Sequence, residues 1–127
     1  MFSINFQSRT PVYIQLYENV VRLVTFGALK ENDKLPPVRT LAGELGINPN
    51  TVSKAYSMLE NDGYIYSSVG RGSFISSKLA NGEAEKLQAK KELKECFNHA
   101  LHSGITKEEA EEMLRQTYDS MGGSMND

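Results

Sequence analysis

Apolar positions Ile14, Tyr17, Val21 and Val24, widened by Val20 and Leu23, recur at three- and four-residue spacing. That period predicts an amphipathic helix over residues 11–26. Thr10-Pro11 reads as a cap followed by proline at the first helical position, and Gly27 as the stop. Ahead of it, Phe2, Ile4 and Phe6 alternate with polar residues as in a short extended arm. The run Lys34-Leu35-Pro36-Pro37 forces a turn, because each proline restricts itself and the residue before it. Leu41, Ala42 and Leu45 then mark a short second helix over residues 38–45, stopped by Gly46.

Only three residues separate that helix from the next, with Ile47 anchoring the tight turn. Asn48 and Pro49 are a cap and a first helical residue, and Val52, Ala55, Tyr56 and Leu59 form the buried stripe of a third helix ending at Asp62-Gly63. Tyr64-Ile65-Tyr66 and Ser73-Phe74-Ile75 read as two short strands around a loop containing Gly70-Arg71-Gly72. Helix, helix-turn-helix and a glycine-tipped hairpin make the plan of a winged helix-turn-helix. The expected fold is mainly α with a small β-hairpin wing.

After Lys78 the pattern changes. Ala80-Asn81-Gly82 reads as a junction, dividing a head of residues 1–78 from a tail of residues 79–127. A charged helix follows over residues 83–101, with Leu87, Leu93, Phe97, Ala100 and Leu101 as its apolar positions and Ser103-Gly104 closing it. Thr106-Lys107-Glu108-Glu109 is a capping box for a last helix carrying Ala110, Met113, Leu114, Thr117 and Met121 on one face. Residues 122–127 are expected to fray. Two such helices cannot hide both apolar faces by themselves; they need the head, a second copy of the chain, or both. The tail is expected to be a two-helix dimerisation unit, with packing onto the head as the alternative. Leu87, Leu93, Phe97, Leu101, Met113 and Leu114 are the candidates for that seam.

Composition narrows the class. The 127 residues are 39% hydrophobic and 24% charged, as in an ordinary globular chain. No apolar run is long enough to span a bilayer, and no basic, apolar leader opens the chain, so no membrane partner is expected. The single cysteine, Cys96, excludes an internal disulfide and suits a reducing cytoplasm. Net charge is −2, but residues 1–78 carry eight Lys and Arg against six Asp and Glu, a net +2, while residues 79–127 carry six against ten, a net −4. A head charge of +2 is modest for a nucleic-acid binder, so charge alone leaves the partner open.

The third helix supplies the stronger signal. With its apolar stripe inward, Asn50, Thr51, Ser53 and Lys54 cluster outward near its N-terminal end. A recognition helix enters the major groove by that end. Asparagine can pair with adenine, threonine can meet a thymine methyl, and lysine suits guanine or phosphate. Asn50, Thr51 and Lys54 are therefore expected at bases, while Asn48 serves first as the cap. Arg39, in the first turn of the second helix, is placed for phosphate contact, with a surface ion pair to Glu44 as the bland alternative. In the wing, Gly70 and Gly72 permit a tight turn and close backbone approach, and Arg71 between them suits a narrow minor groove.

These residues resemble the GntR family of bacterial transcription regulators. The resemblance is carried by Leu35-Pro36-Pro37-Val38-Arg39, Leu41-Ala42, residues 45–52, Lys54-Ala55-Tyr56, Leu59-Glu60, Gly63, Gly70-Arg71-Gly72 and Pro11-Val12-Tyr13 with Gln15. The short two-helix tail looks like the YtrA subfamily, in which a compact C-terminal unit dimerises in place of a large ligand domain. The resemblance implies a homodimeric repressor on a pseudo-palindromic, double-stranded DNA operator, controlling a transporter operon that includes its own gene. It puts Arg39, Asn50, Thr51, Lys54 and the Gly70–Gly72 wing on DNA-contacting positions. Many relatives carry arginines early in the recognition helix where this chain has Pro49 and Ser53, so their operator sequences do not transfer. The Asn-Pro-Asn-Thr version is shared with the MocR subfamily, but 49 residues after Lys78 cannot hold that subfamily's aminotransferase-like domain.

Other readings compete. No Walker loop, nucleophile elbow or paired acid–base constellation is visible, so neither an enzyme nor a cofactor is expected. Cys96, His99 and His102 are spaced three apart and offer a metal-responsive alternative, weakened because the outer two drift off a common helix face. A winged helix can also serve protein contacts or RNA, but stacking aromatics are not evident at its polar face. A small-molecule effector would fit between tail and head, and nothing in the sequence names one.

Overall fold

A computed structural model of the chain describes residues 2–125, with side chains through Met121. The elements are α1 (Val12–Thr25), α2 (Val38–Leu45), α3 (Pro49–Asn61), β1 (Ile65–Ser68), β2 (Gly72–Ile75), α4 (Ala84–His102) and α5 (Lys107–Met125). The chain forms two compact units, residues 1–89 and residues 90–127.

In the first unit, α1 and α2 both pack on α3. Leu16, Val20, Leu41, Val52, Leu59, Ile75 and Leu79 are fully buried where they meet. Each such aliphatic side chain contributes roughly 1.5–3 kcal/mol by leaving water. Polar groups then tie the arm down. The buried Asn19 accepts from the Ser3 N–H at 3.2 Å and donates to the Ser3 carbonyl at 3.0 Å. Gln15 does the same one turn earlier, accepting from the Asn5 N–H at 2.8 Å and donating to the carbonyls of Asn5 and Thr10 at 3.0 and 2.8 Å.

That clamp corrects the expected start of the first helix. Thr10 does not cap it; Pro11 takes the cap position at φ −55° and ψ 147°, and the helix begins at Val12. Gln15 holds the Thr10 carbonyl in the loop instead.

The helix-turn-helix forms as its local signals require. Gly46 closes α2 in the left-handed conformation at φ +69°, where a Cβ would be strained. The Ile47 N–H returns to the Ala42 carbonyl at 3.0 Å, and the Ile47 side chain packs against the core. Asn48 then caps α3, its Oδ1 accepting from the Asn50 N–H at 2.8 Å, with Pro49 at the first helical position.

The wing is an antiparallel pair with Ile65 opposite Ile75, Tyr66 opposite Phe74 and Ser68 opposite Gly72. Its ladder starts one residue later than expected, because the Tyr64 N–H is used to close α3 on the Leu59 carbonyl at 2.9 Å. It also runs further into the serines, leaving only Val69, Gly70 and Arg71 at the tip. A third segment went unforeseen. The Asn32 and Leu35 N–H groups donate to the Ile75 and Ser73 carbonyls, and Ile75 donates back to Asp33, adding residues 32–35 to the free edge of β2.

The junction expected at Ala80-Asn81-Gly82 is a kinked turn inside the first compact unit, with Gly82 at φ +109°. Leu79 and Ala84 on its two sides are buried in the head's core, and Leu87 is packed against it. Leu87, one of the expected seam residues, is half-exposed, with part of its apolar surface on that core.

In the second unit the capping box of α5 forms as predicted. The Glu109 N–H donates to Thr106 Oγ1 and the Thr106 N–H to Glu109 Oε1, both at 3.1 Å. Helical backbone continues through Gly122 to Met125, past the expected point of fraying; residues 126–127 lie outside the described residues. Ala100, Ile105 and Ala110 half-bury one another around the Ser103–Gly104 corner. Leu93, Phe97, Leu101, Met113, Leu114, Tyr118 and Met121 remain about half exposed or more. No helix among the described residues is long and apolar enough to cross a membrane.

Candidate nucleic-acid interface

The third helix presents its polar side as the stripe predicts. Val52, Ala55, Tyr56 and Leu59 are buried, while Asn50, Ser53, Lys54 and Ser57 are exposed and Thr51 half-exposed. Asn50 lies one turn before Lys54, so the two share the outermost line of the helix. The Asn50 side chain makes no hydrogen bond to any described residue, whereas the Asn48 carbonyl is committed to the cap.

Arg39 is exposed in the first turn of α2 and forms no ion pair with Glu44 or any other described residue. Its position depends on a tether from α3. The Tyr56 hydroxyl donates to the Pro36 carbonyl at 2.7 Å, fixing the two-proline turn from which α2 springs. Burial pushes the Tyr56 phenol well above its usual range, so it remains a donor at ordinary pH.

At the wing tip the Arg71 N–H closes the turn on the Ser68 carbonyl at 2.9 Å, and its side chain is exposed. Gly70 sits at φ +74° and Gly72 at φ +119°. At Gly72 conformation and space agree, because a Cβ there would come within 2.9 Å of Lys34 Cε. The Lys34 side chain therefore lies against the tip end of β2. It and Arg71 are the two cations lining an open groove of about 440 Å³ between the hairpin and the Leu35–Val38 turn.

The predicted residues thus fall in three places, α3 (Asn50, Thr51, Ser53, Lys54), the first turn of α2 (Arg39) and the wing tip (Gly70, Arg71, Gly72). Lys54 is the one whose surroundings differ from expectation. Its Nζ lies 3.9 Å from the centroid of the Tyr13 ring on α1. Tyr13, Lys34 and the fully exposed Val69 at the tip were missed by sequence reasoning. Tyr13 reads as one more apolar position of α1, and Lys34 reaches the wing only through the edge segment at residues 32–35.

The model of the bacterial regulatory proteins of the gntR family matches residues 12–75, from the first residue of α1 to the last of β2. The transcriptional repressor YtrA of Bacillus subtilis is 38% identical over 130 residues, covering 100% of both chains. The chain belongs to the GntR family. Among solved structures, YtrA from Sulfolobus acidocaldarius, a GntR-family transcription factor, is 33% identical over 71% of this chain and 95% of that one, with a TM-score of 0.58. The DNA-binding domain of AraR, solved in complex with operator ORX1, is 26% identical over 59% of this chain and 96% of that one, with a TM-score of 0.54.

The GntR assignment accounts for the winged helix-turn-helix and its polar α3 face. Among the described residues no group of three or more His, Cys, Asp and Glu side chains could hold a metal ion. His102 Nδ1 instead lies 2.7 Å from the Asn98 carbonyl of its own helix. The metal-responsive alternative built on Cys96, His99 and His102 has no support.

Proposed function

We propose that this GntR-family protein is a homodimeric transcriptional repressor that binds a pseudo-palindromic operator. The observation carrying the reading is the exposed polar line at the start of α3, where the Asn50 side chain bonds to no described residue, together with exposed Arg39 on α2 and Arg71 at the wing tip. Asn50 and Thr51 read base edges, Ser53 lies beside them, and Lys54 and Arg39 act on the strand backbone. Asn48 starts the helix. Arg71 enters the minor groove, with Gly70 and Gly72 letting the hairpin backbone approach. The relatives that are repressors, and the operator-bound AraR domain, support DNA as the partner. We read it further as a regulator without enzymatic activity, working in the cytoplasm and controlling a transporter operon.

The tail joins two copies. Leu93, Phe97, Leu101, Met113 and Leu114 are the seam, with Tyr118 added to them and the half-exposed Leu87 at its head end. An apolar groove of about 330 Å³ runs between α4 and α5, lined by Leu93, Phe97, Met113 and Tyr118 among others. A monomer would leave it open to water; a second copy of the same two helices covers it, with half-sites spaced by about one helical turn, roughly 10 base pairs, or a small multiple.

Selection of bound duplexes from a random pool, with the mass of the protein measured alongside, tests both halves. A symmetric enriched site and a dimer mass are expected; no enrichment would sink the operator reading. On the enriched site, Asn50→Ala should cost about 1–3 kcal/mol of specific binding while sparing non-specific affinity. Arg39→Ala should weaken every duplex and flatten the salt dependence. Identical behaviour of the two variants would refute this division of roles.

A further inference from the structure

Lys54 stands on the outermost line of α3, yet its ammonium lies 3.9 Å from the centroid of the Tyr13 ring, folded toward α1. Tyr13 is half-buried, in the first turn of a helix that packs on α3, so its ring is held by the core beneath it. The contact leaves the charge of Lys54 intact and uses none of its N–H groups in hydrogen bonds, since an aromatic face attracts a cation through its quadrupole. A free lysine stem carries rotamer freedom that must be surrendered on binding. One already resting on a ring has surrendered part of it. On a recognition helix lying in the major groove, an ammonium drawn sideways toward α1 would lie nearer the strand backbone than the base edges that the helix faces.

We propose that Tyr13 is a positioning residue for DNA binding: its ring holds the Lys54 ammonium beside α3 as a preformed clasp for a backbone phosphate, not a base edge. This rests on the DNA-binding reading and deepens it. Tyr13 itself acts through Lys54.

A double-mutant cycle on the full-length dimer tests it. Affinity is measured by fluorescence anisotropy across a salt series, for the enriched duplex and a scrambled one, with Tyr13→Leu, Lys54→Met, the double variant and Tyr13→Phe. Lys54→Met is expected to weaken both duplexes by the same factor and reduce the salt slope by about one. Tyr13→Leu should weaken binding about two- to fivefold with the slope retained. It should have no further effect in the Lys54→Met background, and Tyr13→Phe should rescue. Pentafluorophenylalanine at position 13 keeps the ring's shape while reversing its quadrupole, so it should behave as Tyr13→Leu does even where that variant perturbs folding.

Equal losses from Tyr13→Leu in both backgrounds would make Tyr13 a packing residue and overturn the inference. So would Lys54→Met weakening the enriched duplex alone, which would make Lys54 a base reader. Either result leaves the DNA reading standing, whereas a parent protein that binds no duplex overturns both.

Discussion

In the head, Leu16, Leu35, Leu41, Leu59 and Ile75 are buried to 2% exposure or less, while in the tail Leu93, Phe97, Leu101, Met113 and Leu114 expose 49–69% of theirs. Both regions use helices with apolar positions at helical spacing. The difference is what covers them. Three helices and a hairpin enclose a common core in the head, and polar side chains such as Gln15 and Asn19 satisfy the loops around it. Two helices joined at one corner can cover only the residues of that corner, Ala100, Ile105 and Ala110. The comparison teaches that an amphipathic pattern specifies a helix and a face, but the number of neighbours available decides whether that face is core or interface.

The largest effect should come from the head. Leu16→Ala removes a fully buried side chain from the α1–α3 contact and should cost about 2–5 kcal/mol, read as a lower denaturation midpoint. Its failure to destabilise would break the claim that the head is a closed core. Next comes Leu114→Glu, which places a charge on the exposed face of α5. It should cost about 2–4 kcal/mol of association and shift the sedimenting mass toward monomer, while the head's thermal transition stays in place. A head that melted with this tail variant would mean that the two regions are not the separate cases described.

The smallest effects compare two caps. Asn48→Ala should cost about 1 kcal/mol, read in the head's unfolding, because α3 is packed on both sides. Thr106→Ala removes half of an exposed capping box and should cost about 0.5 kcal/mol, read as lost helicity by circular dichroism. If the tail cap proved the costlier, α5 would be held more by its neighbours than its exposure indicates.

Much of the fold was legible because the signals were local. Pro37, Gly46, Asn48-Pro49 and the Thr106-to-Glu109 box act within about four residues, and each starts or ends its helix where it should. The candidate site was legible for a related reason: once Val52, Ala55, Tyr56 and Leu59 are inward, helical geometry alone puts Asn50 and Lys54 outward. Thr10 failed as a cap because a side chain five residues on, Gln15, competed for its loop. Leu87 packs partly on the head's core, a neighbour that periodicity could not give, since it marks a face but not what covers it.

The sequence by itself therefore determined the helices, the tight turn between α2 and α3, the hairpin and the exposed polar line of α3, since all of these follow from propensity, capping and period. Tertiary structure alone decided that residues 32–35 complete the wing, that Lys34 fills the space a Cβ at Gly72 would need, and that Lys54 rests on a ring 41 positions earlier in the chain. Such contacts join residues with no common period, so they exist only once the core has brought separate elements within a few ångströms of one another.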